Sequence, residues 1–548
     1  MKNNQKKPNI LILITDQQRT VQHFPDGWAE KYLPWTTHLK KTGVTFKNNM
    51  CSSTACSPSR STIFSGTYPT INGVLKVNDT INMSRTLPMG GSLATLGQIM
   101  TDSDYQMVYK GKWHLDASFA NFSFMRPSDM DRMMIEDDAM ENHYAFPGWT
   151  SPDLGTCETN MTERGTEKPN ENSPLNSIGG GTAANDKRIV HGPMFLDSQE
   201  SAVDFIKNYN PNAEKPFCLV VSLANPHDVW VYPYAPISAG YTGEEWLGEA
   251  YRDFKLPKSY HATLDTKPTA QQDFLDNFQG GKLGHHHALN YLRFYAYLQT
   301  LIDDLTGDII KAMRSNIHVG NRLEEDTFII RLSDHREMAM SQGGLRQKEN
   351  TIYKETINVP MIFSNPNLPQ NVVKDDLVSL IDLMPTIIDI TGATVHKKYV
   401  LQGESYAKSV LQGESNGKKY NYFATDDSSM SAYTCIRGII SHRYKYGVYY
   451  TADYANQNYG VVNYNGEISV SKKDSSSPSY PIQYELYDYS TEGGQTETEN
   501  LLAFPDHVTN SLLDTWKELH AILTAKMVET YTLPNNWEFA DVPAVTTE

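Results

Sequence analysis

The chain has 548 residues, 39% of them hydrophobic and 20% charged, and a formal net charge of −16. This length exceeds one ordinary domain core and predicts two domains, each able to bury a sizeable core. The acidic balance, with no long Lys/Arg run against it, excludes a nucleic-acid partner and disfavours a long polyanionic substrate unless the pocket is locally basic. The cysteines (Cys51, Cys56, Cys157, Cys218 and Cys435) are few and scattered, which excludes a disulfide scaffold. No stretch approaches the ~20 apolar residues of a membrane span. The run Ile10 to Ile14 is too short for a signal-peptide core. The expected compartment is cytoplasmic, or periplasmic or secreted if a leader has been trimmed.

In chain order, Asn9 to Thr15 is a continuous apolar run and reads as a strand buried on both faces. It ends in Asp16-Gln17. Pro34 to Lys41 reads as a helix and Val44 to Phe46 as a short strand. Ser92 is the expected N-cap of a helix over Leu93 to Met100. Gln106 to Tyr109 is a strand, ending in Gly111-Lys112-Trp113-His114. Residues 148–187 and 233–287 read as loop-rich rims, and His285-His286-His287 as a solvated loop. Ser198 to Tyr209 is a helix and Pro216 to Leu223 a strand, ending in Pro226-His227. A long amphipathic helix runs from Ala288 to Met313. Thr327 to Leu332 is a strand, ending in Asp334-His335. Val359 to Phe363 is a strand, and Leu377 to Ile390 mostly helix.

This alternation predicts an α/β fold: a large, mostly parallel sheet between helices. From residue 396 onward the texture becomes Tyr-rich strands with one helix over Val508 to Val528. The expected domains are 1–395 and 396–548, the second a smaller antiparallel sheet plus helix. Four polar clusters follow the ends of four buried strands, the edge at which open α/β sheets bind ligands.

Between the first two clusters lies Cys56-Ser57-Pro58-Ser59-Arg60: a thiol, a stiff turn, a fixed cation and a run able to start a helix. A helix start suits an anion, and a guanidinium fork suits a tetrahedral oxyanion. A buried Cys56, or one paired with Cys51, is the plain alternative. Asp16, Asp334 and His335, with the neutral oxygen of Gln17, form a donor set for a divalent cation. Its oxygens favour Ca²⁺ or Mg²⁺, and the histidine makes Mn²⁺ competitive.

The Cys-x-Pro-x-Arg stretch resembles the maturation motif of the type I sulfatases in the alkaline phosphatase superfamily. Ser65 stands where that family usually has Thr. The resemblance implies an alkaline phosphatase-like fold, a divalent metal, and conversion of Cys56 to formylglycine by a maturation enzyme. The hydrated aldehyde is then the nucleophile and a metal ligand. Gly111-Lys112-Trp113-His114-Leu115 is similar to another family motif. Lys112 would contact a sulfate oxygen, and His114 would position or deprotonate the diol. Pro226-His227 makes His227 the candidate acid on the leaving oxygen. Lys348 resembles the second sulfate-binding lysine, and Arg60 joins the cations. Asp16, Gln17, Asp334 and His335 fall on the metal positions, with Arg336 where a Gly is usual. Asn78 resembles a substrate-binding Asn, and is equally readable as a turn residue.

The expected activity is hydrolysis of a sulfate monoester, of a sulfated sugar or an aryl or alkyl sulfate. Alternatives are a phosphonate monoester or phosphodiester hydrolase on the same scaffold, an inactive sulfatase-like binding protein, and a simple thiol enzyme.

Overall fold

The computed structural model describes residues 7–20, 24–77, 87, 93–116, 136–150, 153, 183–192, 199–210, 212, 215–233, 241, 243–318, 321–348, 351–426, 431, 433, 435–451, 461–462, 468–469, 482–504 and 507–532. Seven strands form the main sheet: β1 Asn9–Thr15, β2 Gly43–Met50, β3 Gln106–Gly111, β4 Phe217–Leu223, β5 Thr327–Ser333, β6 Met361–Ser364 and β7 Val372–Ser379. Their spatial order is β3-β4-β1-β5-β6-β2-β7. Only β6 runs against its neighbours, β5 and β2; the remaining pairs are parallel.

Side chains alternate across a strand, so a strand between two helix layers must be apolar on both faces. In β1, Ile10, Ile12 and Ile14 enter one core, with Ile63 and Phe64 of helix Cys56–Ser65 and Leu383 and Ile387 of helix Leu383–Thr391. Leu11 and Leu13 enter the other, with Ile189, Phe205, Ile309 and Ile310 from helices Ala183–His191, Ala202–Asn208 and His285–Ser315. Helices cover both faces, as the alternation predicts.

A separate four-stranded antiparallel sheet follows: β8 Asn421–Thr425, β9 Cys435–Ile440, β10 Tyr444–Tyr450 and β11 Gln483–Asp488. Trp516, Leu519, Leu523 and Met527 of helix Asn510–Glu529 pack on it.

Three expected elements differ. The helix expected from Ser92 begins at Leu96, because Thr95 supplies the cap: its Oγ1 accepts from Gln98 N at 3.1 Å. Leu377–Ser379 belongs to β7, and the helix starts at Leu383, after a capping box between Ser379 and Asp382. The three histidines at 285–287 form the exposed first turn of the long helix rather than a loop. Among the described residues, no helix is long and apolar enough to cross a membrane.

Candidate active site

Strands β1, β3, β4 and β5 all end on one edge, and the predicted clusters follow them there. Gly111 closes β3 at φ 97°, and a Cβ on it would lie 2.1 Å from the Ser222 carbonyl oxygen. Only glycine fits so close an approach. It lets Lys112 N donate to Ser222 O at 2.9 Å and turns Lys112 towards β1.

Cys56 opens a ten-residue helix whose residues are all buried. Its hydroxyls bond within the segment: Ser61 to Pro58 O at 2.7 Å, Thr62 to Ser59 O at 2.7 Å, Ser65 to Ser61 O at 2.6 Å. Such back-bonding lets a polar helix stay buried. Gly66 ends it in the left-handed region. The Cys56 side chain therefore sits at the positive end of a buried helix dipole.

The ligand atoms of Asp16, Cys56, Asp334 and His335 lie within 4.8 Å of one another, all buried. Cys56 Sγ is 3.0 Å from His335 Nε2, and that nitrogen is 3.3 Å from Asp16 Oδ1 and 3.7 Å from Asp334 Oδ1. Two carboxylates and an imidazole around a fourth donor fit a divalent cation, and an oxygen donor at position 56 would suit a hard ion better than sulfur does. Burial, then Asp16, push the Cys56 thiol up to about 12. The unmodified side chain is a neutral thiol, a poor nucleophile. Cys51, Cys56, Cys218 and Cys435 are free, so the Cys51–Cys56 pairing is not formed.

Cations surround this cluster. Lys112 Nζ donates to Asp16 Oδ2. Arg60 Nε is 3.3 Å from Asp334 Oδ2, and its other nitrogens donate to Ser222 Oγ at 2.7 and 3.1 Å. Burial works against the Asp16 carboxylate, but Lys112, His227, His335 and Arg60 outweigh it and hold its pKa well below the ordinary value. Burial likewise opposes the Lys112 ammonium, and Asp16 more than compensates. Lys348 Nζ donates to Gln17 Oε1 at 2.8 Å and lies 3.4 Å from His227 Nε2. Burial, reinforced by Lys348, holds His227 well below the usual histidine range. Gln17 itself has φ 65° and turns its amide towards Lys348, Gln347 and Glu337.

His114 is buried at the end of the β3 loop with φ 59°. Arg336, in place of the usual Gly, points away from the cluster. It donates to Lys354 O at 2.7 Å, Asn358 Oδ1 at 2.9 Å and Thr20 Oγ1 at 2.6 Å. Asn78 lies outside the described residues.

Several residues of the site were not singled out in the sequence. Asp153 accepts from Trp113 N at 2.8 Å and His114 N at 2.6 Å. Asp186 accepts from Ala224 N at 2.7 Å and Asn225 N at 2.9 Å, fixing the approach to His227. Ser222 was legible as the one hydroxyl in an apolar strand. The second sheet also reaches the site. Ala424 N donates to Ser52 O at 3.0 Å, just before Cys56, and Lys445 Nζ to Ile352 O at 2.7 Å, just after Lys348.

A mostly parallel sheet with a metal-ligand cluster and buried cations at its carboxyl edge defines a hydrolase built for esters of tetrahedral oxyanions. The chain belongs to the sulfatase family, whose model matches residues 8–393. A second model, described as N-sulphoglucosamine sulphohydrolase, C-terminal, matches 346–477. The chain is 26% identical over 446 residues to the uncharacterized sulfatase YidJ of Escherichia coli K12, covering 80% of this chain and 78% of that protein. Among solved structures, it resembles a 2-O GAG sulfatase with TM-score 0.63 and 19% identity, covering 96% of this chain and 93% of that one. It resembles a phosphonate monoester hydrolase from Silicibacter pomeroyi with TM-score 0.60 and 18% identity, covering 96% and 97%. The protein is a sulfuric ester hydrolase of alkaline phosphatase-like fold.

Proposed function

We propose that this enzyme hydrolyses the sulfate monoester of a sulfated sugar, using formylglycine made from Cys56 and a divalent cation, with Ca²⁺ ahead of Mn²⁺ and Mg²⁺. Residues 1–395 form the catalytic domain and 396–548 a subdomain buttressing the Ser52 and Ile352 loops. The observation that carries the reading is the convergence of Lys112, Arg60 and Lys348 around the helix start at Cys56. The neighbour named as a GAG sulfatase supports the sugar class.

Asp16, Asp334, His335 and the oxidised residue 56 would hold the cation, whereas the Gln17 amide, expected to add an oxygen, is engaged by Lys348, Gln347 and Glu337 instead. The cation and the aldehyde hydrate together supply a hydroxyl nucleophile of lowered pKa and neutralise charge on the ester. Arg60 and Lys112, fixed by Asp334, Ser222 and Asp16, are preorganised donors for sulfate oxygens. His114, held through its backbone by Asp153, would be the group that accepts a proton from the hydrate. His227, held neutral in the free site by burial and Lys348, would carry a proton to the leaving oxygen once the anionic ester sits against both side chains.

The test has two parts. The peptide Asn48 to Arg60, from protein made with a formylglycine-generating enzyme, is expected to be roughly 18 Da light, with Cys51 as its unmodified control. The matured, metal-loaded enzyme is expected to turn over sulfated sugars faster than alkyl sulfates, phosphodiesters or phosphonate esters. A full-mass peptide with two alkylatable thiols defeats the nucleophile. Preference for the phosphorus esters defeats the substrate class. Lys112→Ala is expected to lower turnover ~100-fold or more, the scale for losing an oxyanion donor. A near-unchanged rate would remove Lys112 from the site.

A further inference from the structure

Glu337 is fully buried, and the groups around it converge on its carboxylate. Oε1 accepts from Gln347 N at 2.7 Å, Tyr291 OH at 2.9 Å and Ala339 N at 3.1 Å. Oε2 accepts from Gln17 Nε2. Arg19 donates to the carbonyls of Glu337 and Met338 at 3.2 and 2.9 Å, pinning the same segment. This carboxylate touches none of the four clustered ligand residues, and the proposed chemistry gives it no step.

A carboxylate only accepts hydrogen bonds, so it dictates which end of the Gln17 amide faces it. The NH₂ must turn to Glu337, which leaves the carbonyl oxygen for the other side. There Lys348 Nζ donates to it at 2.8 Å. The same carboxylate holds the backbone N–H of Gln347, one residue before Lys348. It thus fixes the root of the Lys348 side chain directly and its tip through Gln17. The backbone of Gln17 is itself locked, since Tyr295 OH donates to its carbonyl at 2.6 Å. The end of the chain is Lys348 Nζ, 3.4 Å from His227 Nε2.

We infer that Glu337 is a positioning residue: by polarising the order Glu337–Gln17–Lys348 it sets the Lys348 ammonium beside His227 at the leaving-group end of the pocket. The functional part of this inference rests on the sulfatase reading; the positional part does not. Glu337→Gln offers an NH₂ where all the neighbours are donors. Either a bond is lost at the Oε1 position, or Gln17 flips and turns its NH₂ on the Lys348 ammonium. Adding Gln17→Glu restores the complement. The amide now at position 337 then donates to the carboxylate now at position 17 and accepts from Tyr291 and Gln347, and Lys348 regains an acceptor.

The experiment acylates Lys348 with a small amine-reactive ester under native conditions and reads peptide masses, alongside kcat and KM on glucose 6-sulfate, whose basic leaving oxygen depends on that end of the pocket. Lys445, buried and paired with Glu497, reports on general loosening. In Glu337→Gln, Lys348 labelling is expected to rise about tenfold while Lys445 stays protected, as local opening requires. Turnover is expected to fall about 100-fold, mostly in kcat, the scale of a 1 Å misplacement. Both changes are expected to be largely reversed in the double variant. Unchanged protection of Lys348 in Glu337→Gln overturns the inference. If every buried lysine becomes reactive in the single variant, the double variant decides: restored protection supports the chain, and its absence overturns it. Wild-type protein inert on all esters would sink the sulfatase reading, while the labelling would still judge the positioning.

Discussion

Cys56→Ala is expected to abolish sulfate ester turnover, on the order of 10⁶-fold below the matured wild-type enzyme, the scale for deleting a covalent nucleophile. The substitution is small. Cys56 is buried at the start of a fully buried helix, and the helix is held by hydroxyl-to-carbonyl bonds and by Gly66, none of which involves the thiol. Loss of one buried sulfur costs roughly 1 kcal/mol of packing, so the variant should fold and melt within a few degrees of wild type. Asp16, Asp334 and His335 remain, so divalent-cation binding measured by calorimetry should weaken without vanishing. Folded protein that binds metal yet turns nothing over isolates the nucleophile from the scaffold. Retention of more than about 1% of wild-type kcat in Cys56→Ala would show that residue 56 forms no bond to sulfur, whatever the mass of its peptide.

The strands that carry the site were legible because burial on both faces leaves only apolar residues between polar ends. Asp16, Lys112, His227 and Asp334 each stand just past such a run, so their convergence could be read before any coordinates. Strand β7 was missed because it is an edge strand: Lys374 and Asp375 put charge into its exposed half, and only Leu377 to Ser379 looked apolar. The carboxylates behind the site were hidden for a different reason. Asp153 and Asp186 sit in a polar stretch where nothing distinguishes a structural aspartate from a solvated one, and their partners are backbone N–H groups, which carry no sequence signal. One missed signal was available. Tyr291, Tyr295, Gln299 and Asp303 recur every four residues on the long helix, which makes one polar stripe on a buried surface. The structure uses all four, to Glu337, Gln17, Gln18 and the N–H groups of Trp35 and Thr36.

His227→Gln is expected to separate substrates by leaving group rather than slow them alike. A general acid contributes most where the departing oxygen is strongly basic, with typical effects of about 10²- to 10⁴-fold. A sugar or alkyl sulfate expels an alkoxide and should lose about 10³-fold. 4-Nitrophenyl sulfate expels a stable phenolate and should lose less than about tenfold. His227 stands with Lys348 at 3.4 Å, whereas Lys112 and Arg60 reach into the cluster through Asp16 and Asp334. Glutamine keeps an oxygen that can accept from Lys348, so the loss reports on proton transfer more than on collapse of the pair. Plotted against leaving-group pKa, log kcat/KM of the variant should slope more steeply than that of wild type. Parallel lines would mean that His227 acts on sulfur or on the pocket's shape. The proton for the leaving oxygen would then have to come from another group in reach, and Lys348 is the one the structure puts beside it.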